Sequence, residues 1–375
     1  MTRFDPLTGR VQPPVGREAF GIGCRRRTQP EGVRVKLSML QHDRSSAVLL
    51  GMACGDALGA GYAFAGPLPP DVPIGMRGDS DGDVAGRSAT GAHWAAGEWS
   101  DYTALAVPVA QAAADGLDLS AESTLDIIAA EWVDWATTAP FAGLQLEAAL
   151  AGSDPTAAGV RRKAREQHGR LGRSAGSGCL LRTAPVALAY LHDPGALAAA
   201  ARELSDLTHC ETDAGDACVL WGLAIRHAVL EGELDMRVGL DALPPARRQL
   251  WSARLVHAEG RQPRDFTRNG WVVQALQGAW SAIVHTPDTD SSQFRRGLET
   301  AIRGGGNTDA VAGAAGALLA ARWGLAAVPS EWRRQVQGWP GLRGADLVRL
   351  SVFAAHGQDT NEAGERKNFR LHVVG

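Results

Sequence analysis

A chain of 375 residues, 45% hydrophobic and 21% charged, can bury one large core or two modest ones. Its 38 basic and 41 acidic residues leave a net charge of −3, which gives no electrostatic reason to bind nucleic acid. The most apolar run, residues 310–321, is bounded by Asp309 and Arg322 and is too short to span a bilayer, so it reads as a core helix and no membrane contact is expected.

Residues 1–41 mix Pro13, Pro14, Pro30 and several glycines with little periodicity, the composition of a flexible arm. They lack the apolar stretch of a signal peptide, and Met39 is a candidate natural start. Within the arm, Arg25, Arg26 and Arg27 read as a solvated tail. From Asp43, DRSSAVLLGMACGDALG reads as a capped helix that packs Val48, Leu49, Met52 and Ala53. It is expected to stop at a glycine-bearing turn, with Asp56 of GDALG in the loop that follows. Asp79, Asp81 and Asp83 copy part of a calcium loop but lack its closing Glu, so they read as a solvated acidic turn.

Next comes GEWSDYTALAV at residues 97–107, where Ser100, Asp101, Tyr102 and Thr103 sit at a helix start. Such side chains can cap backbone N–H groups, or they can join a distant acidic segment around a hard cation. Helical stripes cover residues 103–114, 121–135, 196–204, 214–230, 270–283, 309–323 and 329–337. In one of them Val272, Leu276, Ala279 and Ile283 share a face. GRSAGSGCLLRTAP, residues 172–185, alternates small residues, so it is either an anion-holding turn of backbone N–H groups or a plain connection.

In LTHCETDAGDA, residues 207–217, His209 precedes Glu211, Asp213 and Asp216; an isolated His is more often a capping or packing residue than a catalyst. RGGGNTDAVAG, residues 303–313, sets Asn307, Thr308 and Asp309 before a helix that is apolar all round. They are N-cap residues or half of a cation site. Gly313 and Gly316 in that helix permit close approach of a neighbour. No stretch alternates as a strand should. The five cysteines show no CxxC pair and fit a reducing, cytoplasmic setting rather than a disulfide frame or zinc site. Most of the eleven tryptophans suit the core, with Trp94 and Trp99 as pocket candidates. The expected organisation is one all-α globular domain over residues 42–350, between an arm at 1–41 and a tail at 351–375.

Taken in order, GMACGDALGA, GEWSDYTALA, GRSAGSGCLLRTAPVALAY, SDLTHCETDAGDACVLWGLAIRHAV, NGWVVQALQGAWSAI and GGGNTDAVAGAAGALLAARWGLAAVPSEW resemble the ADP-ribosylglycohydrolase family, the group related to the dinitrogenase reductase-activating glycohydrolase. The resemblance runs from about Asp43 to Arg343. It implies a compact all-α fold, cleavage at the ribose C1″, and two Mg²⁺ ions held by Thr-Asp-Asp-Thr and Gly-Asp-Thr-Asp-Thr motifs, in several members with a Glu shortly after GDALG. Here the first motif is Ser100, Asp101, Tyr102, Thr103, so a phenol replaces a carboxylate. In the second, Asn307 replaces an Asp and Ala310 a Thr, while Ala63 occupies the Glu position.

The metal set implied by resemblance is thus Ser100, Asp101, Thr308 and Asp309, enough for one weakly held Mg²⁺ or none. Asp101 and Asp309 are the implied catalytic pair. Asp56, Tyr102, Ser174, Ala175, Gly176, Ser177, Gly178, His209, Gly305, Gly306 and Asn307 are the implied substrate contacts. The leading reading is a hydrolase of an ADP-ribosylated or nucleotide-derived substrate, with Asp101 or Asp309 as general base. The alternatives are an offshoot acting on another ribosyl small molecule, and a catalytically silent ADP-ribose-binding protein.

Overall fold

The computed structural model describes residues 4–5, 10–11, 25–27, 37–78, 94–139 and 141–356. The acidic turn expected at Asp79, Asp81 and Asp83 lies outside them, as does most of the expected arm. Two ribbons of two-residue strands are the only strands among the described residues, too short to leave an alternating pattern in the sequence. β1 (Phe4–Asp5) pairs antiparallel with β2 (Arg10–Val11).

The helices follow in chain order: α1 (Met39–Ala60), α2 (Asp101–Ala114), α3 (Glu122–Ala136), α4 (Leu144–Leu150), α5 (Ala157–Leu171), α6 (Ala184–Ala189) and α7 (Pro194–Asp206). Beyond them lie α8 (Thr212–Glu231), α9 (Pro245–Glu259), α10 (Val272–Val284), α11 (Gln293–Arg303), α12 (Thr308–Trp323) and α13 (Ser330–Gln335). The second ribbon, β3 (Gln337–Gly338) with β4 (Leu342–Arg343), leads into α14 (Gly344–His356). This last helix carries packed chain past the 350 boundary, with Ser351 and Ala354 buried.

Two expectations about α1 are corrected. The helix starts at Met39, not Asp43, because Ser38 and Gln41 form a reciprocal capping box: Gln41 N–H donates to Ser38 Oγ at 3.3 Å, and Ser38 N–H to Gln41 Oε1 at 2.9 Å. It also runs through GDALG to Ala60, so Asp56 sits inside the helix and is fully buried. What allows this is the stripe Gly51, Gly55 and Gly59, one face of α1 laid on α12. A Cβ on Gly55 would stand 2.1 Å from the Ala312 carbonyl oxygen, and one on Gly59 2.5 Å from that of Thr308. From the other side, Gly316 serves the same approach, its hypothetical Cβ 2.2 Å from the Gly51 oxygen. The two helices therefore touch backbone to backbone at the centre of the molecule.

The reading of the arginine run is corrected at Arg27 alone: Arg25 and Arg26 are exposed, whereas Arg27 is half-buried and bonded. Its backbone N–H donates to Gly116 O at 3.0 Å, and its guanidinium donates to the carbonyls of Ala113, Ala189 and Ala354. Those carbonyls close α2, α6 and α14. One half-buried cation thus serves orphan acceptors and the negative dipole ends of three helices. Arg27→Ala is expected to destabilise the fold by about 1–3 kcal/mol, read as a lowered midpoint in urea. An unchanged midpoint would show these bonds contribute nothing net.

Cys54, Cys179 and Cys218 are buried and Cys210 is partly so, all four as free thiols. No helix among the described residues is long and apolar enough to cross a membrane.

Candidate functional site

Helix α2 begins at Ser100, and its first turn is capped by a residue from another helix. Asp56 Oδ1 accepts from the Ser100 N–H at 3.2 Å and the Ser100 hydroxyl at 2.6 Å. Oδ2 accepts from the Thr103 N–H at 2.9 Å and the Thr103 hydroxyl at 2.6 Å. Four donors fill the lone-pair directions of one carboxylate. Asp56, expected as a substrate contact, is the post that fixes α2 against α1. Burial raises its pKa, and these four bonds oppose the rise.

Asp101 follows that capped start, and its charge and that of Asp56 are felt by Asp309 on α12. Asp101 and Asp309 are 4% and 6% exposed against 0% for Asp56, so they are the acids at the edge of the solvent. Burial, then the neighbouring Asp56, pushes Asp101 up to about 7. Asp309 is raised well above the ordinary carboxylate range by burial and then by Asp56 and Asp101. Its Oδ1 accepts from the Ala310 N–H at 2.8 Å. Among the described residues no Lys or Arg pairs with any of the three. Two acids of this kind, held close without a cation, cannot both ionise freely near neutral pH.

Beside them Tyr102, Ser177 and Asn307 close a triangle across three segments. The Tyr102 hydroxyl lies 2.7 Å from Ser177 Oγ, and Asn307 Nδ2 donates to the phenol at 2.6 Å and to Ser177 Oγ at 2.9 Å. Asn307 therefore does not cap α12 with its side chain. Its own N–H donates to Asn269 Oδ1 at 2.7 Å, and Asn269 Nδ2 donates to Gly305 O at 2.9 Å. Gly305 and Gly306, at φ 73° and 74°, turn the chain so that the Gly306 N–H meets Ala65 O at 2.8 Å. Asn269 is a site residue that spacing did not reveal; it lies in a short connection with no periodic signal.

The 174–178 loop, which the sequence left open between an anion-holding turn and a plain connection, is braced from within. Its N–H groups at Ser174, Gly176 and Ser177 donate to Glu211, to Gln145 Oε1 at 3.0 Å and to Gly270 O at 2.9 Å. The Ser174 hydroxyl accepts from the Cys210 N–H at 3.1 Å and contacts His168 Nδ1 at 2.8 Å. Ala175 O accepts from the Val272 N–H. These bonds set the loop rigidly over His209, which is fully buried, with its Nε2 near Gly176 and its Cε1 near Gly178. Gln145 and Thr208, which hold this corner, were not legible in the sequence. Asp213 and Asp216 belong elsewhere, in ion pairs with Arg247, Arg254 and Arg202.

Magnesium ligands were implied at Ser100, Asp101, Thr308 and Asp309. Ser100 and Thr308 direct their hydroxyl protons to Asp56 and, at 2.8 Å, to Gly59 O, and Asp56 has no lone pair left. At the two positions where the resemblance asks for carboxylates stand a phenol, whose pKa is raised further by burial and by Asp309, and an amide presenting its NH₂ group. Among the described residues no group of three or more His, Cys, Asp or Glu is placed to hold a metal. These residues do not fit a two-metal centre.

A cleft of about 260 Å³ opens against the Ser100 side of this cluster, lined by Trp94, Glu98, Trp99, Trp135 and Trp339 among others. Trp94 and Trp99 thus line a pocket, as expected.

The ADP-ribosylglycohydrolase family model matches residues 38–362. The chain is 26% identical over 332 residues to the ADP-ribosyl-[dinitrogen reductase] glycohydrolase of Rhodospirillum rubrum, covering 81% of this chain and 98% of that protein. It is 28% identical over 307 residues to the ADP-ribosylarginine hydrolase Tri1 of Pseudomonas putida (strain GB-1), covering 78% and 74%. Among solved structures, a chain described as an ADP-ribosylglycohydrolase-related protein complex shares the fold, with a TM-score of 0.59 and 24% identity over 85% of this chain and 99% of that one.

Proposed function

The chain belongs to the ADP-ribosylglycohydrolase family, and we propose that it hydrolyses the ribosyl C1″ bond of an ADP-ribosylated substrate through a carboxylate pair rather than through two metal ions. The observation that carries this reading is the uncompensated pair Asp101 and Asp309, with Asp101 titrating at about 7. Two acids whose environments hold them in different protonation states supply a base and an acid at one pH. Ionised Asp101 takes a proton from the attacking water as its oxygen bonds to C1″. Protonated Asp309 gives its proton to the departing atom of the acceptor as the C1″ bond breaks. Exchange with solvent then returns the proton from Asp101 to Asp309.

The braced 174–178 loop, His209, Tyr102 and Asn307 form the ADP-ribose side of the pocket in this proposal. The tryptophan-lined cleft is the acceptor side, because it shares Ser100 with the carboxylate cluster. A second reading, binding of ADP-ribose without turnover, is favoured by one observation: a phenol and an amide, Tyr102 and Asn307, hydrogen-bonded to each other, stand where the resemblance implies carboxylates.

Calorimetric titration of ADP-ribose into chelator-stripped protein, repeated with Mg²⁺, together with a turnover assay on an ADP-ribosylated arginine substrate, separates the two. We expect affinity to agree within roughly twofold with and without metal, and turnover to survive chelation. Binding strengthened tenfold or so by Mg²⁺ would overturn the metal-free mechanism. Metal-independent binding with no turnover would give the second reading its place.

A further inference from the structure

Arg182 is the one arginine among the largest fully buried side chains, and among the described residues no carboxylate is paired with it. Its guanidinium lies 4.3 Å from the centre of the Trp132 ring. Nη2 donates to Leu204 O at 2.9 Å and to Thr208 Oγ1 at 2.7 Å, while Nε and Nη1 have no partner. A buried, unpaired cation is costly, and a neutral residue of similar volume would spare the fold that cost.

The bond to Thr208 has a chemical consequence one residue further on. Arginine can only donate, so Thr208 Oγ1 accepts from it. The same oxygen lies 2.7 Å from His209 Nδ1, and no other acceptor for the threonine proton is found among the described residues. The hydroxyl proton is therefore directed at Nδ1, which must carry a lone pair, and the imidazole proton resides on Nε2. Nε2 itself is buried with no hydrogen-bond partner, beside Gly176.

We infer that Arg182 and Thr208 are positioning residues that lock His209 in its Nε2–H tautomer, giving the 174–178 loop a fixed hydrogen-bond donor for an oxygen of the bound ligand. Burial, and then the charge of Arg182, hold the ring neutral, so the donor persists across the working pH range. The tautomer follows from the bonds alone; that the donor meets ADP-ribose rests on the proposed function.

Nitrogen-15 NMR of protein labelled at histidine reads the tautomer directly, with His209→Gln assigning the signal among the ten histidines. Wild type and Thr208→Ser are expected to show Nδ1 bare and Nε2 protonated. Thr208→Val, nearly the same shape without the hydroxyl, is expected to mix the tautomers and weaken ADP-ribose binding about tenfold. Wild type with the proton on Nδ1, or a Thr208→Val spectrum identical to wild type, would overturn the lock. If the tautomers behave as inferred while ADP-ribose binds no variant, the lock stands and the ADP-ribose assignment of the pocket falls.

Discussion

Asp101→Asn is expected to cut turnover by roughly 10²–10⁴ and, measured at about pH 8, to make the protein more stable. The two effects have one cause. In the unfolded chain this carboxyl titrates near 3.8, and in the folded protein at about 7. Between those values the folded state binds more protons than the unfolded one, so stability falls as pH rises through that window and stays low above it. An asparagine has no charge to bury. It can keep one acceptor for the Gly143 backbone donor, though its NH₂ group replaces the second oxygen poorly. The net gain at the higher pH is of order 2 kcal/mol, below the full linkage value because Asp56 and Asp309 share the titration. Near pH 4 the gain should vanish or reverse. In wild type, turnover should rise through about pH 7 as the base ionises, limited at higher pH by loss of the Asp309 proton. Undiminished turnover in the variant would end the base assignment, and a stability change independent of pH would show that the raised pKa is not its source.

The sequence and the structure agree best where a helix is apolar on every face. Helices α8 and α12 were legible to within two residues at their starts because no other element accommodates such runs. The amphipathic surface helices were harder: α5 buries only Ala157, Gly159, Val160 and Ala164, too thin a stripe to stand out among its arginines. In α11 the face Phe294, Leu298, Ala301 and Ile302 has helical spacing but spans three turns. The start of α1 was misplaced because its capping box precedes the apolar stripe. Polar segments between apolar helices were suspected as a site, and the fold brings several of them together, yet their roles were not readable. Asp56 finds its donors 44 and 47 residues away, and Asn307 its phenol 205 away. No local pattern encodes such pairings. Arg182 left one faint signal, a charge inside GCLLRTAPVAL, and nothing in the sequence says what it holds.

Gly55→Ala tests whether the α1–α12 contact assembles the site, and it is expected to cost about 3 kcal/mol or more. The added carbon would meet the Ala312 oxygen at 2.1 Å, its carbon at 2.5 Å and the Gly313 nitrogen at 2.8 Å. All three are backbone atoms of a buried helix, so relief requires one helix to move off the other. The same change at Gly169, within α5 with nothing inside 4 Å, should instead stabilise by about 0.5–1 kcal/mol through helix propensity. Opposite signs from one chemical substitution separate close packing from local preference. The cost at Gly55 also bears on function, because Asp56 is its neighbour on α1 and Asp309 rides on α12, tied at Thr308 to Gly59 O. Moving the helices apart admits water, which relieves the burial that does most to raise Asp101, and should bring the acidic limb of the pH–rate profile below about pH 7 in whatever protein still folds. A Gly55→Ala protein that melts with wild type and keeps its pH profile would mean the acids are brought together by something other than the glycine stripe.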